Sequence, residues 1–260
     1  MTSLIYGYGD TGKSFERYLE DKKIDFKIFD SNITEYNLNY NFQDFDKILC
    51  SPGVSKDIFE NIKCQNTNIF TDVDIFFNED RSIKIGITGT NRKSTTAFHL
   101  HQLFNKYKSS NLIGNIGNTM LDYINNGKEF SIIELSSFQL DKMDQNHLDF
   151  GILLNIEGDH LDYHGNFNAY KLAKEKILAA NKSISFETDP YNLFKWITGK
   201  EAKKIQLKNL PYRFEYFSEK IINDSKSTNY HSLKYAMKKA KRCFNSEYIL
   251  IVCGNPKKEK

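Results

Sequence analysis

One stretch decides the fold of this chain, and it reads Gly86-Ile87-Thr88-Gly89-Thr90-Asn91-Arg92-Lys93-Ser94-Thr95-Thr96. Residues 82–85 before it predict a strand, and Ala97, Leu100 and Phe104 after it recur at helical spacing. The stretch is therefore a strand, a glycine-containing turn and a helix N-terminus. Because the first amide groups of a helix are unpaired and carry its positive dipole end, such a turn suits a phosphate.

The side chains of this turn suit a nucleotide but do not match the common pattern. Lys93 would place a positive charge against terminal phosphates, and Ser94 would offer a hydroxyl to Mg²⁺. The Walker A pattern, however, has glycine where this chain has Ile87 and Arg92. From the residues alone, the turn is either a phosphate site or an ordinary strand-to-helix connection with a basic helix start.

The composition is that of a globular protein with one large domain or two to three small ones. The chain has 260 residues, 40% of them hydrophobic and 27% charged. A net charge of +3 is too small to indicate nucleic acid binding, and the scattered cysteines indicate neither disulfides nor a metal site. We expect no membrane span, no signal peptide and a cytoplasmic location, because no long apolar run and no basic-apolar leader are present.

The N-terminal part predicts a strand–helix–strand unit with a glycine-rich turn. Gly7, Gly9 and Gly12 form a G-x-G-x-x-G pattern between two predicted strands, and Asp30 ends the second strand. In dinucleotide folds such glycines let the backbone approach a diphosphate, and such an acid accepts a hydrogen bond from a ribose or base. The alternative is a purely structural turn of the same fold.

The central and C-terminal parts predict alternating strands and helices. We expect an apolar strand over 131–140 that carries Glu134, and a most apolar, central strand over 150–156. The polar stretch that follows, with His160 and His164, is either a metal site or a loop with incidental histidines. Lys174 follows Ala173 in a predicted helix and would normally be a surface lysine. Beyond an irregular stretch over 183–210, with a short helix near 191–197, we expect a helix over 230–240 and a final strand over 248–253.

Several segments in this order resemble the Mur ligase family. Gly89-Thr90-Asn91-Arg92-Lys93-Ser94-Thr95 is similar to the G-T-N-G-K-[ST]-[ST] loop of that family. Further similar segments are G-Y-G-D-T-G-K-S, S-P-G-V, G-N-I-G, E-L-S-S-F-Q-L, N-I-E-G-D-H-L-D-Y-H, Y-K-L-A-K, L-P-Y-R-F-E and N-D-S-K-S-T-N. The resemblance covers nearly the whole chain, and E-L-S-S-F-Q-L and N-D-S-K-S-T-N favour the D-glutamate-adding branch of the family.

The resemblance implies an α/β fold with three parts. These are a Rossmann-like, UDP-binding N-terminal domain over 1–81, a shortened P-loop α/β central domain over 82–210 that binds ATP, and a partial Rossmann-like C-terminal domain over 211–260. The implied reaction joins D-glutamate to UDP-N-acetylmuramoyl-L-alanine in peptidoglycan precursor synthesis. It uses ATP and Mg²⁺ and proceeds through an acyl phosphate.

The resemblance also assigns roles to residues. The implied catalytic residues are Lys93, Glu134, His160 and Lys174. The implied metal ligands are Ser94, Glu134, His160 and Lys174, the last as a carbamate. The implied ATP contacts are Gly89, Thr90, Asn91, Arg92, Lys93, Ser94, Thr95, Asn192, Arg213, Asp224 and Lys226. The implied substrate contacts are Gly9, Thr11, Gly12, Asp30, Asn115, Ser136, Thr228 and Lys257.

The sequence departs from the family pattern in ways that keep a second function open. Arg92 stands where the family has glycine, and the stretch between Lys174 and Pro211 is short for the family. Little sequence follows Lys257, where the family continues its third domain. The alternative prediction is a non-catalytic, UDP-sugar-binding remnant of such a ligase.

Overall fold

The computed structural model of this chain describes residues 2–219, 221–244 and 249–252. Two parallel sheets and a small hairpin organise these residues. The sheet orders are β2-β1-β3-β4, β6-β7-β5-β8-β9 and β10-β11. The α/β class and the parallel sheets confirm the fold predicted from the sequence.

The first sheet is built from residues 2–70. Along the chain, two helices lie between its strands and a third follows its last strand. Its elements are β1 (Thr2–Tyr6), α1 (Asp10–Asp21), β2 (Asp25–Phe29), β3 (Lys47–Cys50), α2 (Lys56–Gln65), β4 (Ile69–Phe70) and α3 (Asp72–Glu79). All strand pairs in it are parallel, with β1 between β2 and β3. The predicted strand–helix–strand opening is therefore confirmed.

The second sheet carries the decisive stretch on its central strand. Its elements are β5 (Ile83–Thr88), α4 (Lys93–Tyr107), β6 (Ser110–Gly114), β7 (Phe130–Glu134), α5 (Ser137–Lys142), β8 (Phe150–Leu153), α6 (Leu161–His164), α7 (Phe167–Glu175), β9 (Lys182–Ser185) and α8 (Pro190–Thr198). Its strands are parallel, and β5 lies between β7 and β8. The loops after β5, β7 and β8 consequently emerge at one edge of the sheet.

The core of the second sheet forms as the helical spacing predicts. Ala97, Leu100 and Phe104 of α4 are fully buried, and the Phe104 ring lies 5.0 Å from that of Phe194 on α8. Gly86 on β5 leaves room for the Leu148 side chain, since a Cβ atom there would lie 2.4 Å from Leu148 Cδ1. The buried face of α4 packs with Ile85 and Ile87 of β5 in one apolar cluster, which holds α4 directly behind the turn.

The remaining described elements form a short C-terminal unit. They are β10 (Glu215–Ser218), β11 (Ile221–Asn223) and α9 (Tyr230–Cys243), with β10 and β11 antiparallel. The predicted helix over 230–240 is confirmed and is longer than predicted.

Some predicted elements are wrong. The strand expected over 131–140 ends at Glu134, because Ser136 and Gln139 form a capping box that starts α5. The apolar strand expected inside the sheet, β8, does lie between β5 and β9 and is buried, but β5 is the middle strand and β8 ends at Leu153 rather than at 156. The stretch expected to be irregular over 183–210 begins with β9.

The predicted final strand is not formed where it can be assessed. Residues 249–252 have no regular secondary structure, and their apolar side chains are exposed. Positions 248 and 253, the ends of that prediction, lie outside the described residues.

Candidate active site

The turn between β5 and α4 is held from one side by the loop after β8. The Thr90 amide donates to Asn155 O at 3.0 Å, and the Asn91 amide donates to Asn155 Oδ1 at 2.8 Å. Asn155 Nδ2 in turn donates to Asn91 O at 3.0 Å. The Thr90 hydroxyl lies 2.9 Å from the hydroxyl of buried Tyr170 on α7. The backbone amides of Thr90 and Asn91 thus hold the loop in place. The backbone amides that follow them belong to the first turn of α4.

Arg92 occupies the last position of this turn in a left-handed conformation. Its φ is 67° and its ψ is 4°, and its side chain is exposed. In the described chain, no side chain caps the start of α4. The first amide groups of α4 therefore point to the sheet edge with no capping oxygen, which is the geometry that binds an anion.

Polar side chains of α4 and of the C-terminal unit meet at this helix start. Lys93 Nζ donates to Thr90 O at 3.0 Å, and Arg213 Nη2 donates to Ser94 Oγ at 2.9 Å. Thr95 is half-buried in the first turn of α4. Two cationic side chains thus accompany the helix start, as a phosphate chain requires.

Glu134 ends β7 as a buried carboxylate. Its side chain is 1% exposed, and its Oε1 accepts from Asn115 Nδ2 at 3.0 Å. Its Oε2 has no hydrogen-bond partner among the described residues. A buried carboxylate oxygen without a donor is costly unless a cation faces it. Glu134 therefore suits a divalent metal, whereas Ser136, close by, caps α5.

Lys174 of α7 is buried rather than on the surface. It is 2% exposed, and its Nζ donates to Gly89 O at 2.9 Å and to Thr88 Oγ1 at 3.3 Å. Burial, followed by the neighbouring charge of Lys93, holds the pKa of Lys174 well below its usual value. The lowered pKa favours the neutral, nucleophilic amine more than at a surface lysine.

His160 and Asp159 lie on the loop between β8 and α6. His160 has φ 53°, its ring centroid lies 4.9 Å from that of Phe138, and its Nε2 lies 3.7 Å from Asp159 Oδ2. Over the described ranges, no three His, Cys, Asp or Glu side chains are grouped as a metal site. The structure therefore brings Lys174 and Ser94 to the turn, and does not gather His160 with Glu134 and a third such ligand.

The predicted nucleotide turn of the first sheet is tightly built. A Cβ atom on Gly12 would lie 2.3 Å from Gly7 O, so only glycine fits there. The carboxylate of Asp30 accepts from the amides of Tyr8 at 2.7 Å and Asn32 at 2.8 Å. Gly9 caps α1 without a side chain. The Asp30 carboxylate, which was predicted to contact substrate, therefore stabilises the glycine-rich turn itself.

A cavity lies between α1 and the loop after β6, and Asn115 of that loop does not line it. The cavity has a volume of about 460 Å³. Its lining residues are Asp10, Lys13, Arg17, Gly117, Asn118, Thr119, Asp122 and Tyr123. Thr11, which the sequence assigned to substrate, is half-buried in the first turn of α1.

The remaining predicted residues lie in the C-terminal half. Asp224 accepts from the Phe214 amide at 2.8 Å, and Lys226 and Thr228 are exposed on the turn after β11. Asn192 is exposed on α8, where its Nδ2 donates to Glu187. Lys257 lies outside the described residues.

Sequence reasoning missed residues that hold the site. Hydrogen bonds connect the phosphate turn, residues 89–92 between β5 and α4, to Asn155, Tyr170 and Asn229. The one available signal was Asn155, a polar residue that directly follows an apolar strand at the edge where ligands bind. Tyr170 and Asn229 lie in the family-like segments Y-K-L-A-K and N-D-S-K-S-T-N, but no local pattern indicated that they contact this turn.

Parallel strands that deliver a turn suited to phosphate to one sheet edge place this chain in the P-loop-like class of α/β proteins. Residues 87–247 match the family description "Mur ligase middle domain". The chain therefore belongs to the Mur ligase family.

Relatives of this chain carry the name UDP-N-acetylmuramoylalanine--D-glutamate ligase. The protein of Francisella tularensis subsp. tularensis (strain WY96-3418) is 35% identical over 202 residues, which cover 74% of this chain and 47% of that protein. The protein of F. tularensis subsp. novicida (strain U112) is 36% identical over 180 residues, covering 66% and 42%. The chain thus spans about half the length of the curated relatives it matches.

Solved structures of Mur ligases are also similar to this chain. UDP-N-acetylmuramate-alanine ligase MurC of Thermotoga maritima is 19% identical with a TM-score of 0.41, covering 71% of this chain and 49% of that one. MurF ligase of the same organism, in complex with ADP, is 17% identical with a TM-score of 0.37, covering 70% and 42%.

Among the described residues, no helix is both long and apolar enough to span a bilayer.

Proposed function

We propose that this chain catalyses ATP-dependent amide formation between UDP-N-acetylmuramoyl-L-alanine and D-glutamate, in peptidoglycan precursor synthesis in the cytoplasm. One observation carries the proposal. At one edge of the second sheet lie the start of α4, the Glu134 carboxylate and the buried Lys174 amine, and among the described residues no side chain caps α4 and none bonds Glu134 Oε2. The names of the curated relatives supply the substrates.

The proposal divides the work among the three parts of the chain. Residues 1–81 would hold the UDP group through the turn that contains Gly9, Thr11 and Gly12. Residues 82–210 would bind ATP, and residues 211–260 would bring Arg213, Lys226 and Thr228 towards the reacting groups. The hydrogen bond from Arg213 to Ser94 supports this last step.

The protein groups at α4 suit the charge that the reaction develops. The substrate carboxylate attacks the γ-phosphate of ATP to give an acyl phosphate, and the amine of D-glutamate then displaces phosphate. The α4 amides and Lys93 would bind the phosphates and stabilise their charge during the first step. Exclusion of water by the C-terminal unit would protect the acyl phosphate from hydrolysis.

Glu134 and Ser94 would hold Mg²⁺. Their oxygens fit a cation that keeps several waters and takes phosphate oxygens as further ligands. When bound, Mg²⁺ would neutralise phosphate charge. His160 and Lys174 are proposed as further ligands, and the lowered pKa of Lys174 supports carbamate formation, because only the neutral amine adds to CO₂.

The test is a phosphate-release assay with the full chain, Mg²⁺-ATP, UDP-N-acetylmuramoyl-L-alanine and D-glutamate. We expect release only when all are present, and none when L-glutamate replaces D-glutamate. Glu134→Gln should lower the rate by about 100-fold or more. The matched control is Glu129→Gln, which changes an exposed carboxylate paired with Lys108 and should leave the rate unchanged. Release that does not depend on D-glutamate, or no release at all, would contradict the proposal.

A second candidate function is binding of the UDP-sugar without turnover. The exposed Arg92 side chain supports it, because the side chain stands at the turn where the family has glycine. This function predicts UDP-sugar binding without ATP binding.

A further inference from the structure

The C-terminal unit reaches the phosphate turn through a short segment at the start of α9. Asn229 Nδ2 donates to Asn91 Oδ1 at 3.1 Å and to Asp159 Oδ2 at 3.4 Å. Two residues later, His231 Nδ1 lies 3.6 Å from Glu157 Oε2. The His231 contact is between half-exposed side chains and is weak, whereas Asp159 is buried. Asn229 therefore makes the stronger junction.

The orientation of the Asn229 amide is set by its role as the N-cap of α9. Its Oδ1 accepts from the Ser232 amide at 2.9 Å, and an N-cap position requires an oxygen there. The NH₂ group must then face away from α9, towards Asn91 and Asp159. Asp159 is oriented in turn, since its Oδ1 accepts from the His160 amide at 3.0 Å.

Asn229 thus joins three segments that the proposed reaction needs together. Asn91 belongs to the phosphate turn, Asp159 precedes His160, and Asn229 directly follows the turn that carries Lys226 and Thr228. Lys226 and Thr228 are themselves exposed. Asn229 makes two hydrogen bonds from the 224–229 turn to the phosphate site.

We propose that Asn229 is a positioning residue that docks the 224–229 turn onto the phosphate turn, and so places Lys226 and Thr228 at the site. This inference rests on the proposed function, which it deepens by naming the residue that closes the C-terminal unit over the nucleotide. Binding of a nucleotide and docking of Asn229 would then favour each other.

The discriminating variant is Asn229→Asp. Aspartate is as good an N-cap as asparagine, so α9 stays capped. It lacks the NH₂ donor, however, and places a carboxylate against Asp159, so the docked state is repelled. Asn166→Asp is the matched control, because Asn166 caps α7 through its Oδ1 in the same way, and among the described residues its NH₂ group donates to no other segment.

Hydrogen exchange measured by mass spectrometry tests the docking without any ligand. In Asn229→Asp we expect peptides covering 224–229 and 157–160 to exchange at least about 5-fold faster than in the original chain. Peptides from the middle of α9 should be unchanged, which shows that the cap is kept. Asn166→Asp should leave both regions unchanged. Equal exchange of 224–229 in Asn229→Asp and the original chain would overturn the proposal.

Titration with a non-hydrolysable ATP analogue and Mg²⁺ tests the functional consequence. We expect Asn229→Asp to weaken its binding about 5- to 10-fold, and Asn166→Asp to leave it unchanged. If the original chain does not bind the analogue, the proposed function fails, and the exchange measurement still decides the docking. Altered exchange with unchanged analogue affinity would overturn the positioning role.

Discussion

Arg92 adopts a backbone conformation that costs an ordinary residue energy and costs glycine none. Its φ of 67° lies in the left-handed region, where the Cβ atom approaches the backbone. The conformation is imposed by the turn, because Thr90 and Asn91 are fixed by Asn155 and α4 begins at Lys93. The position thus keeps the shape for which the family uses glycine.

Arg92→Gly should stabilise the protein and improve ATP binding. Removal of the left-handed strain is worth about 1 kcal/mol, or about 2–4 °C in Tm for a chain of this size. Loss of the side chain also opens the anion site at the start of α4. Thermal unfolding and titration with an ATP analogue measure the two effects.

Lys23→Gly provides the control for that prediction. Lys23 has φ 55°, is exposed and lies far from the turn in sequence, just after α1. It should raise Tm by a similar amount and leave ATP affinity unchanged. Weaker ATP binding by Arg92→Gly would show that Arg92 serves the nucleotide rather than obstructs it.

His164 is a buried histidine with an apolar surrounding. It is 7% exposed, its ring packs against those of Phe138, Tyr163 and Tyr170, and neither ring nitrogen has a hydrogen-bond partner in the part of the chain that the structure describes. Burial lowers the pKa of His164 to about 4. The folded protein therefore favours the neutral form of the His164 ring.

Folding stability should fall with acidity through the titration of His164. Its folded pKa is below the unfolded value of about 6.5, so the unfolded chain binds more protons between these values. Above about pH 6.5 the titration of His164 costs no stability. As the pH falls from 6.5 towards 4, the free energy of unfolding decreases by up to about 3 kcal/mol. Urea unfolding at a series of pH values measures it.

His164→Phe isolates this effect from other titrating groups. The ring is kept and the titration is removed, so the variant should lose less stability than the original chain between pH 6.5 and 4. Identical pH dependence of the two chains would show that His164 does not carry the effect.

At the scale of elements, Lys142 at the end of α5 clamps the first sheet to the second. It is 5% exposed, and its Nζ donates to Pro52 O at 2.6 Å and Val54 O at 2.5 Å on the turn after β3. The same turn holds the first glycine-rich turn, since Ser51 Oγ donates to Gly7 O at 2.6 Å. α5 and the predicted UDP turn are therefore linked through one ammonium group.

Lys142→Met should destabilise the protein by about 2 kcal/mol, because it leaves two carbonyl groups without their donor. Lys56→Met, which removes the exposed pair between Lys56 and Asp141 at the same interface, should cost less than about 1 kcal/mol. Urea unfolding compares them. Equal losses from the two variants would contradict the clamp.

The sequence predicts most elements, and it fails where local signals overlap. Apolar periodicity located β5 and α4 correctly. The apolar run through Glu134 to Leu140 hid the end of β7, although Ser136 and Gln139 carry the spacing of a capping box. Side-chain burial was harder to predict, because Lys174 is buried by α7 packing on the turn, and its own helix gives no sign of that.

At the scale of the whole molecule, the site depends on contacts between distant segments. Asn229 and Asn91 are 138 residues apart, and Arg213 and Ser94 are 119 apart. No local pattern predicts such pairs, so the sequence indicated the residue types of the site through family resemblance, and the structure shows which of them meet. The domain boundaries and residue roles remain predictions.

Isothermal titration calorimetry tests most directly whether one chain holds both a UDP-sugar site and a nucleotide site. UDP-N-acetylmuramoyl-L-alanine and a non-hydrolysable ATP analogue are titrated separately, the analogue with and without Mg²⁺. We predict that both bind and that analogue binding is stronger with Mg²⁺, since Glu134 and Ser94 then share the cation. Binding of the UDP-sugar alone would favour the non-catalytic function. Binding of neither ligand would contradict both proposed functions.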